Sequence, residues 1–320
     1  MSIHIQIGGE FFREIREKQC YYVDKTAFIE EFLSNNQAKV SLITRPRRFG
    51  KTLLMDTLHE FFDINMDSRE IFNGLYISKN KNLCDIWMNA YPTIFITLKE
   101  FSGYTFQKSI NMLKDIFSEN IKDSFSFLLN SEKITDNDKE RIILLQDNKA
   151  QEDELITALN FLMSCLHRHF GKKVVVLIDE YDVPLAKAYE NGYYDEMIEF
   201  IRGMLGRALK TNNNLEFAIL TGCLRISKES IFTGLNNFAC YSISGYDFLD
   251  KFGFTENEVD TLLEEIQYSD KKKIIKDWYD GYVFGDSQKI YCPWDVLLYA
   301  KSLMKSPKAV PENYWINTSG

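Results

Sequence analysis

Five short runs dominated by apolar and β-branched residues punctuate the chain at wide intervals: KVSLIT (39–44), PTIFITL (92–98), KVVVLIDE (173–180), EFAILTG (216–222) and YSISGY (241–246). Most are apolar throughout and do not alternate, which is the pattern of strands covered on both faces. Amphipathic stretches such as TLLMDTLHEFFD (52–63) and ELITALNFLMSCLHRHF (154–170) lie between them. Strands separated by helix-length crossovers pair in parallel, so the pattern predicts an α/β three-layer domain around a mainly parallel sheet.

The remaining segments fit around that sheet. The interval 104–152 is polar and helical in pattern, with SEKITDNDKE (131–140) its most hydrophilic piece, and reads as a helical insertion. After residue 248 the character changes. NEVDTLLEEIQYSDKKKIIKDWYDGY (257–282) predicts two short helices and a turn, and YCPWDVLLYAKSLM (291–304) a helix after a proline-marked entry. The expected organisation is therefore an α/β domain over 1–248 and a small, mainly helical subdomain over 249–320. The Lys271–Lys273 run reads as a solvated helix face, because no aromatic residues interleave it. The ending YWINTSG carries no charged or Gly/Ser-rich tail, as expected of a chain cut from something longer.

Composition excludes several classes. With 46 Asp and Glu against 38 Lys and Arg, the formal charge is −8, which argues against a surface built for non-specific nucleic-acid binding. Six scattered cysteines without CxxC pairing predict reduced thiols, no disulfides and no zinc site. No apolar run is long enough to span a bilayer and the amino terminus has no signal-peptide pattern, so a cytoplasmic protein without a membrane partner is expected. His4, His59, His167 and His169 lack HExxH spacing, and Ser227 and Ser230 lack a GxSxG setting.

Residues 45–52 read RPRRFGKT, directly after VSLIT and directly before an amphipathic stretch, which is the strand, loop and helix context of a phosphate-binding loop. Backbone N–H groups at a helix N-terminus bind phosphate oxygens, a lysine reaches the β and γ phosphates, and a hydroxyl ligates Mg²⁺. The nucleotide-binding set is thus Arg47, Arg48, Phe49, Gly50, Lys51, Thr52 and Leu53, with Lys51 also catalytic and Thr52 also a metal ligand. The general pattern wants glycine where Arg45 stands, and Pro46 removes one N–H from the cradle. Arg47 and Arg48 are expected to compensate by pairing with phosphate oxygens. The alternative is a chance GKT after a strand.

VVVLIDEYD (174–182) is an apolar strand ending in carboxylates, the Walker B position of additional-strand ATPases. Asp179 is expected to hold Mg²⁺, usually through water, and Glu180 to act as general base, with Asp182 in support. Both motifs converge at one sheet edge if the sheet is parallel. The next run ends in Thr221, a candidate γ-phosphate sensor. Arg225 follows, either to stabilise charge on the transferred phosphoryl group, in its own or a neighbouring subunit, or as an ordinary surface arginine.

With RPRRFGKT and VVVLIDEYD placed, the sequence resembles the bacterial AAA-ATPase-like family, whose members often carry a C-terminal PD-(D/E)XK nuclease-like domain. YYVDKTAFIEEFL (21–33), YDGYVFG (279–285), IYCPWDVL (290–297) and YWINTSG (314–320) resemble further motifs of that family, so the resemblance covers nearly the whole chain. It implies the additional-strand P-loop NTPase fold, ATP with Mg²⁺, and Arg-Pro-Arg-Arg as the family's own version of the loop. It also implies that Val23, Asp24 and Lys25 lie near the nucleotide; an N-cap of the following helix is the other reading of Asp24. Cys292 stands where the family usually has asparagine. A nuclease-like domain, as an appended or partner effector, is absent from these residues: no Asp with E-x-K at strand ends occurs in 250–320.

The expected function is Mg²⁺-dependent ATP binding and hydrolysis that drives or gates a conformational change. The alternative is a nucleotide-binding switch or scaffold with negligible turnover. A DNA-acting module rests on the nuclease association alone and is weakened by the acidic composition. An arginine shared between subunits implies a homo-oligomer; one acting within its own chain does not.

Overall fold

Four of the five apolar runs form strands where the sequence places them, in a computed structural model that describes residues 3–35, 38–223, 231–232 and 237–314. The amino-terminal half contains α1 (Phe12–Glu17), α2 (Ala27–Asn35), β1 (Val40–Thr44), α3 (Lys51–Phe62), α4 (Arg69–Phe72), α5 (Lys81–Trp87) and β2 (Thr93–Thr97). Then come α6 (Phe106–Asn120), α7 (Asp136–Gln146), α8 (Glu152–Ile156), α9 (Ala158–Phe170), β3 (Val174–Asp179), α10 (Val183–Asn191), α11 (Tyr194–Leu209), β4 (Leu215–Gly222) and β5 (Phe238–Tyr241).

The sheet order is β2-β3-β4-β1-β5, and every pairing is parallel. β4 lies between β1 and β3, so the two strands that carry the loop and the carboxylates are separated by an additional strand. This is a P-loop NTPase-like α/β fold. Successive strand residues point to opposite faces, and the core divides accordingly. Val174, Val176 and Ile178 pack under α6–α11, whereas Val175 and Leu177 pack under α1–α5. Both faces being covered explains why these strands read as unbroken apolar runs.

Two sequence expectations are corrected here. The fifth strand is Phe238–Tyr241, not 241–246: its last rung pairs Tyr241 with Ile43, and Ser242–Gly245 closes a turn through the Gly245 N–H and the Ser242 carbonyl. The 154–170 helix is broken at Thr157, whose hydroxyl donates to the Asp153 and Glu154 carbonyls, a back-bond that competes with helix continuation.

After the sheet come β6 (Phe254–Thr255), α12 (Glu256–Glu265), α13 (Lys272–Tyr279), β7 (Tyr282–Phe284), β8 (Gln288–Tyr291) and α14 (Pro293–Lys305). A capping box starts α12: Thr255 Oγ1 accepts the Glu258 N–H, and Glu258 accepts the Thr255 N–H. The reading of this region as mainly helical omits an antiparallel sheet of order β6-β8-β7. Its strands are two to four residues long, too short for a periodicity signal, although YVFGDSQKIY has the run, Gly-Asp turn and run of a hairpin. Among the described residues no helix is long and apolar enough to cross a membrane.

α1 is fastened to α3 by Arg13, which donates to both Glu60 oxygens at 2.9 and 2.6 Å, and by the Phe12 N–H, which donates to Asp56 Oδ2 at 2.6 Å. Burial pushes the Asp56 carboxyl up to about 6, against the pull of the Phe12 N–H. The folded value exceeds the unfolded one, so the charged form costs stability; that cost is absent below the unfolded value of about 3.9 and complete above about pH 6. Asp56→Asn, which keeps an acceptor for Phe12, is expected to stabilise the protein by about 1–3 kcal/mol near pH 8, and by less near pH 4.5. Urea unfolding at the two pH values checks this, and an equal gain at both contradicts it.

Candidate functional site

The loop between β1 and α3 ends in Gly50, whose left-handed backbone (φ 82°) precedes the first helical residue, Lys51. Lys51 is only 3% exposed. Its Nζ donates to the carbonyls of Arg45 (3.2 Å) and Pro46 (3.1 Å), lies 3.3 Å from Cys223 Sγ and faces Glu180 Oε1 at 3.4 Å. Thr52, next along α3, donates to Asp179 Oδ2 at 2.7 Å, and Thr221 on β4 donates to Asp179 Oδ1 at 2.5 Å. The sheet thus brings Lys51 and Thr52 at the start of α3, Asp179 and Glu180 at the end of β3, and Thr221 on β4 together at one edge.

Burial raises the Asp179 carboxyl above its ordinary value, against the two threonine hydroxyls and Lys51. Glu180 adopts a left-handed backbone (φ 57°), a costly conformation for a non-glycine residue that persists only where its surroundings fix it. Around it the Tyr181 N–H donates to the Thr221 carbonyl at 3.0 Å and the Val183 N–H to the Glu180 carbonyl at 3.1 Å. Asp182 Oδ2 accepts the Cys223 N–H at 3.0 Å. Gly222 is required between them, because a Cβ there stands 2.5 Å from Asp182 Oδ1 and 2.7 Å from the Tyr181 ring.

Thr221 and the other expected residues make contacts of their own. Thr221 is fully buried, and its hydroxyl is spent on Asp179. Arg47 is exposed. Arg48 lies over the Trp294 ring at 4.5 Å, and Phe49 is buried among Phe284, Ile290 and Cys292, so both side chains of the loop tip are directed into the carboxy-terminal region. Leu53 packs with the α1–α5 face of the core. Asp24 Oδ1 accepts the N–H and hydroxyl of Thr26, just before α2, and Oδ2 accepts the Tyr76 N–H at 2.6 Å. Lys25 Nζ donates to both Glu258 oxygens and the Asp250 carbonyl at 2.7 Å. Arg225 lies outside the described residues.

Two residues of the site escape sequence reasoning. Cys223 touches both Lys51 and Glu180, with Sγ 3.8 Å from Glu180 Oε2; the only signal is its position one residue past the end of β4. Arg45, at the missing-glycine position, is 1% exposed. It donates to the carbonyls of Thr44, Tyr241, Asp247 and Phe248 at 2.8–3.3 Å and sits over the rings of Phe252 (5.0 Å) and Phe284 (5.5 Å). Burial pulls its guanidinium down to about 10, which leaves it charged at neutral pH. Arg45 is therefore a bolt between β1 and the chain that follows β5.

The donor set fits a magnesium-bound polyphosphate. A buried ammonium stands beside a helix N-terminus, and a hydroxyl and a carboxylate stand side by side. Among the described residues no group of three or more His, Cys, Asp or Glu is arranged to hold a metal, and Mg²⁺ is commonly held by one or two protein oxygens together with substrate phosphates.

A family model described as a predicted AAA-ATPase matches residues 6–232. The chain is also similar to a protein of Azotobacter chroococcum mcd 1 described as an uncharacterized protein in the vnfD 5′ region, with 30% identity over 320 residues. That alignment takes in 98% of this chain and 54% of the relative, so the chain spans about half the length of the curated relative it matches.

Removing the Arg45 guanidinium takes a donor from four carbonyls, two of them in buried hydrogen bonds. Arg45→Met, which keeps the aliphatic stem, is expected to cost about 2–4 kcal/mol of stability. Chemical denaturation measures this; a loss under about 1 kcal/mol contradicts the bolt.

Proposed function

The chain belongs to the AAA-ATPase-like family of predicted AAA-ATPases, and from that membership we propose that it binds Mg²⁺-ATP at the edge formed by Lys51, Thr52, Asp179 and Glu180 and hydrolyses it. The observation that carries this reading is the convergence of Thr52, from α3, with Asp179 and Glu180, from the end of β3, beside the buried Lys51 ammonium. Lys51 and the α3 N-terminus meet the β and γ phosphates. Thr52 and Asp179 would hold the metal, which when bound would neutralise charge on the transferred phosphoryl group. Glu180 takes the proton of the attacking water as the oxygen bonds to the γ phosphorus and the β–γ bridge breaks toward ADP. Because Glu180 now pairs with Lys51, the lysine's move to the phosphates frees the base only when substrate is present.

The loop tip supports a gating role. Phe49 meets Tyr282 at 4.7 Å between ring centroids and Phe284 at 5.7 Å, and its carbonyl accepts the Gly253 N–H at 3.0 Å. Gly253 has φ 74°, and a Cβ there stands 2.3 Å from Ile290 Cγ2 and 2.8 Å from the Phe49 ring, so β6 and β8 close directly on the phosphate loop. We read residues 249–320 as a subdomain that senses the loop and passes its state to an effector, appended or separate, of the nuclease-like kind found in this family. A nucleotide switch with negligible hydrolysis is the second reading, favoured by the Lys51–Glu180 pair itself, which withholds the base.

Phosphate release and nucleotide binding, measured side by side, separate the two. Lys51→Ala is expected to weaken Mg²⁺-ATP binding by about 100-fold or more, and Glu180→Gln to keep binding while lowering turnover by about 10²–10⁴-fold. Binding without turnover in the unsubstituted protein selects the switch, and no binding at all overturns both.

A further inference from the structure

Behind the loop tip, α13, the β7 hairpin and the first turn of α14 enclose a half-open cavity of about 140 Å³, lined by Trp278, Tyr279, Tyr282, Cys292, Asp295 and Asn313, together with Gly281. Nothing in the proposed ATPase reaction uses it. Asp295 is 9% exposed, its Oδ1 has no hydrogen-bond partner, and it forms no ion pair with any described residue. The neighbouring acid Asp280, by contrast, is paired with Lys289. The Cys292 thiol and the charge of Arg48 act on Asp295, yet burial outweighs them and raises its carboxyl above the ordinary value. A buried carboxylate without a counter-charge is costly, and rings present their negative faces to a cation. The carboxylate and the rings therefore both favour a cation, while the charge of Arg48, which also reaches Asp295, opposes one. Its size is that of one small group, since a cavity of about 150 Å³ takes up a benzene ring.

We propose that this cavity is a binding site for an organic cation, an alkylammonium or guanidinium head group, held between the Asp295 carboxylate and the rings of Trp278, Tyr279 and Tyr282. The head group comes either from a free amine or from a lysine or arginine side chain of a partner protein. The proposal does not rest on the ATPase reading and is tested without nucleotide.

The test is fluorine NMR of the full chain labelled with 5-fluorotryptophan, the Trp278 resonance being assigned by Trp278→Phe. The probes are n-propylammonium, methylguanidinium and the capped peptides Gly-Lys-Gly and Gly-Arg-Gly, with n-propanol and sodium chloride as controls. A saturable shift of the Trp278 signal by the cations and not by the controls is expected, with half-saturation raised at least about tenfold in Asp295→Asn. Free amines binding as well as peptides assigns a small-molecule ligand, and peptides binding about tenfold tighter or better assigns a partner side chain; either supports the site. No saturable shift, an equal response to n-propanol, or an unchanged response in a folded Asp295→Asn overturns it. If Asp295→Asn does not fold, the comparison of n-propylammonium with n-propanol on the unsubstituted protein decides alone.

Discussion

Asp179 holds the site together. It is fully buried at the carboxyl edge of the sheet, and its two oxygens are taken by Thr52 from α3 and Thr221 from β4. The Thr221 bond follows from the insertion of β4 between β1 and β3, so that Thr221 stands opposite Ile43 on one side while Leu220 pairs with Ile178 on the other. Burial raises the Asp179 carboxyl, and the two hydroxyl donors work against the shift. The same arrangement sets a hydroxyl and a carboxylate next to Lys51, whose ammonium meets two carbonyls, a thiol and Glu180 among the described residues.

The loop that presents Lys51 departs from the general glycine-rich pattern, and the departure has a structural reason. Where glycine normally lets the backbone turn freely, Arg45 reaches across to four carbonyls and two rings. Further along, Phe49 and Arg48 plug into the small antiparallel sheet and the first turn of α14. The phosphate loop is thereby anchored at both ends by the chain that follows the sheet. Under the proposed function, a change in the loop's shape on meeting phosphate reaches Phe284, Trp294 and Gly253, which Phe49 and Arg48 touch.

Much of this was legible in the residues. Buried parallel strands announce themselves as unbroken apolar runs, and the pairing of RPRRFGKT with VVVLIDEYD placed Lys51, Thr52, Asp179 and Glu180 at one edge. What escaped was decided by tertiary contacts. Tyr241 ends the fifth strand because the chain turns at Ser242, which the YSISGY pattern does not encode. β6, β7 and β8 are too short to carry a period. Arg48 and Phe49 suggest phosphate contacts by position, yet their side chains face Trp294 and Phe284, neighbours more than two hundred residues away. Cys223 has no motif and owes its place to the close approach that Gly222 permits.

The central claim is that nucleotide occupies the space around Lys51, and Cys223 reports on it directly. Its thiol is half-buried, 3.3 Å from Lys51 Nζ, whereas Cys84 and Cys240, equally half-buried, lie on other elements and serve as internal references. Site-resolved alkylation by mass spectrometry, at a pH high enough to offset the burial that raises this thiol, compares the three with and without Mg²⁺-ATP. The account predicts that Mg²⁺-ATP slows Cys223 modification by about tenfold or more while leaving Cys84 and Cys240 unchanged. An unaltered Cys223 rate at saturating Mg²⁺-ATP contradicts it.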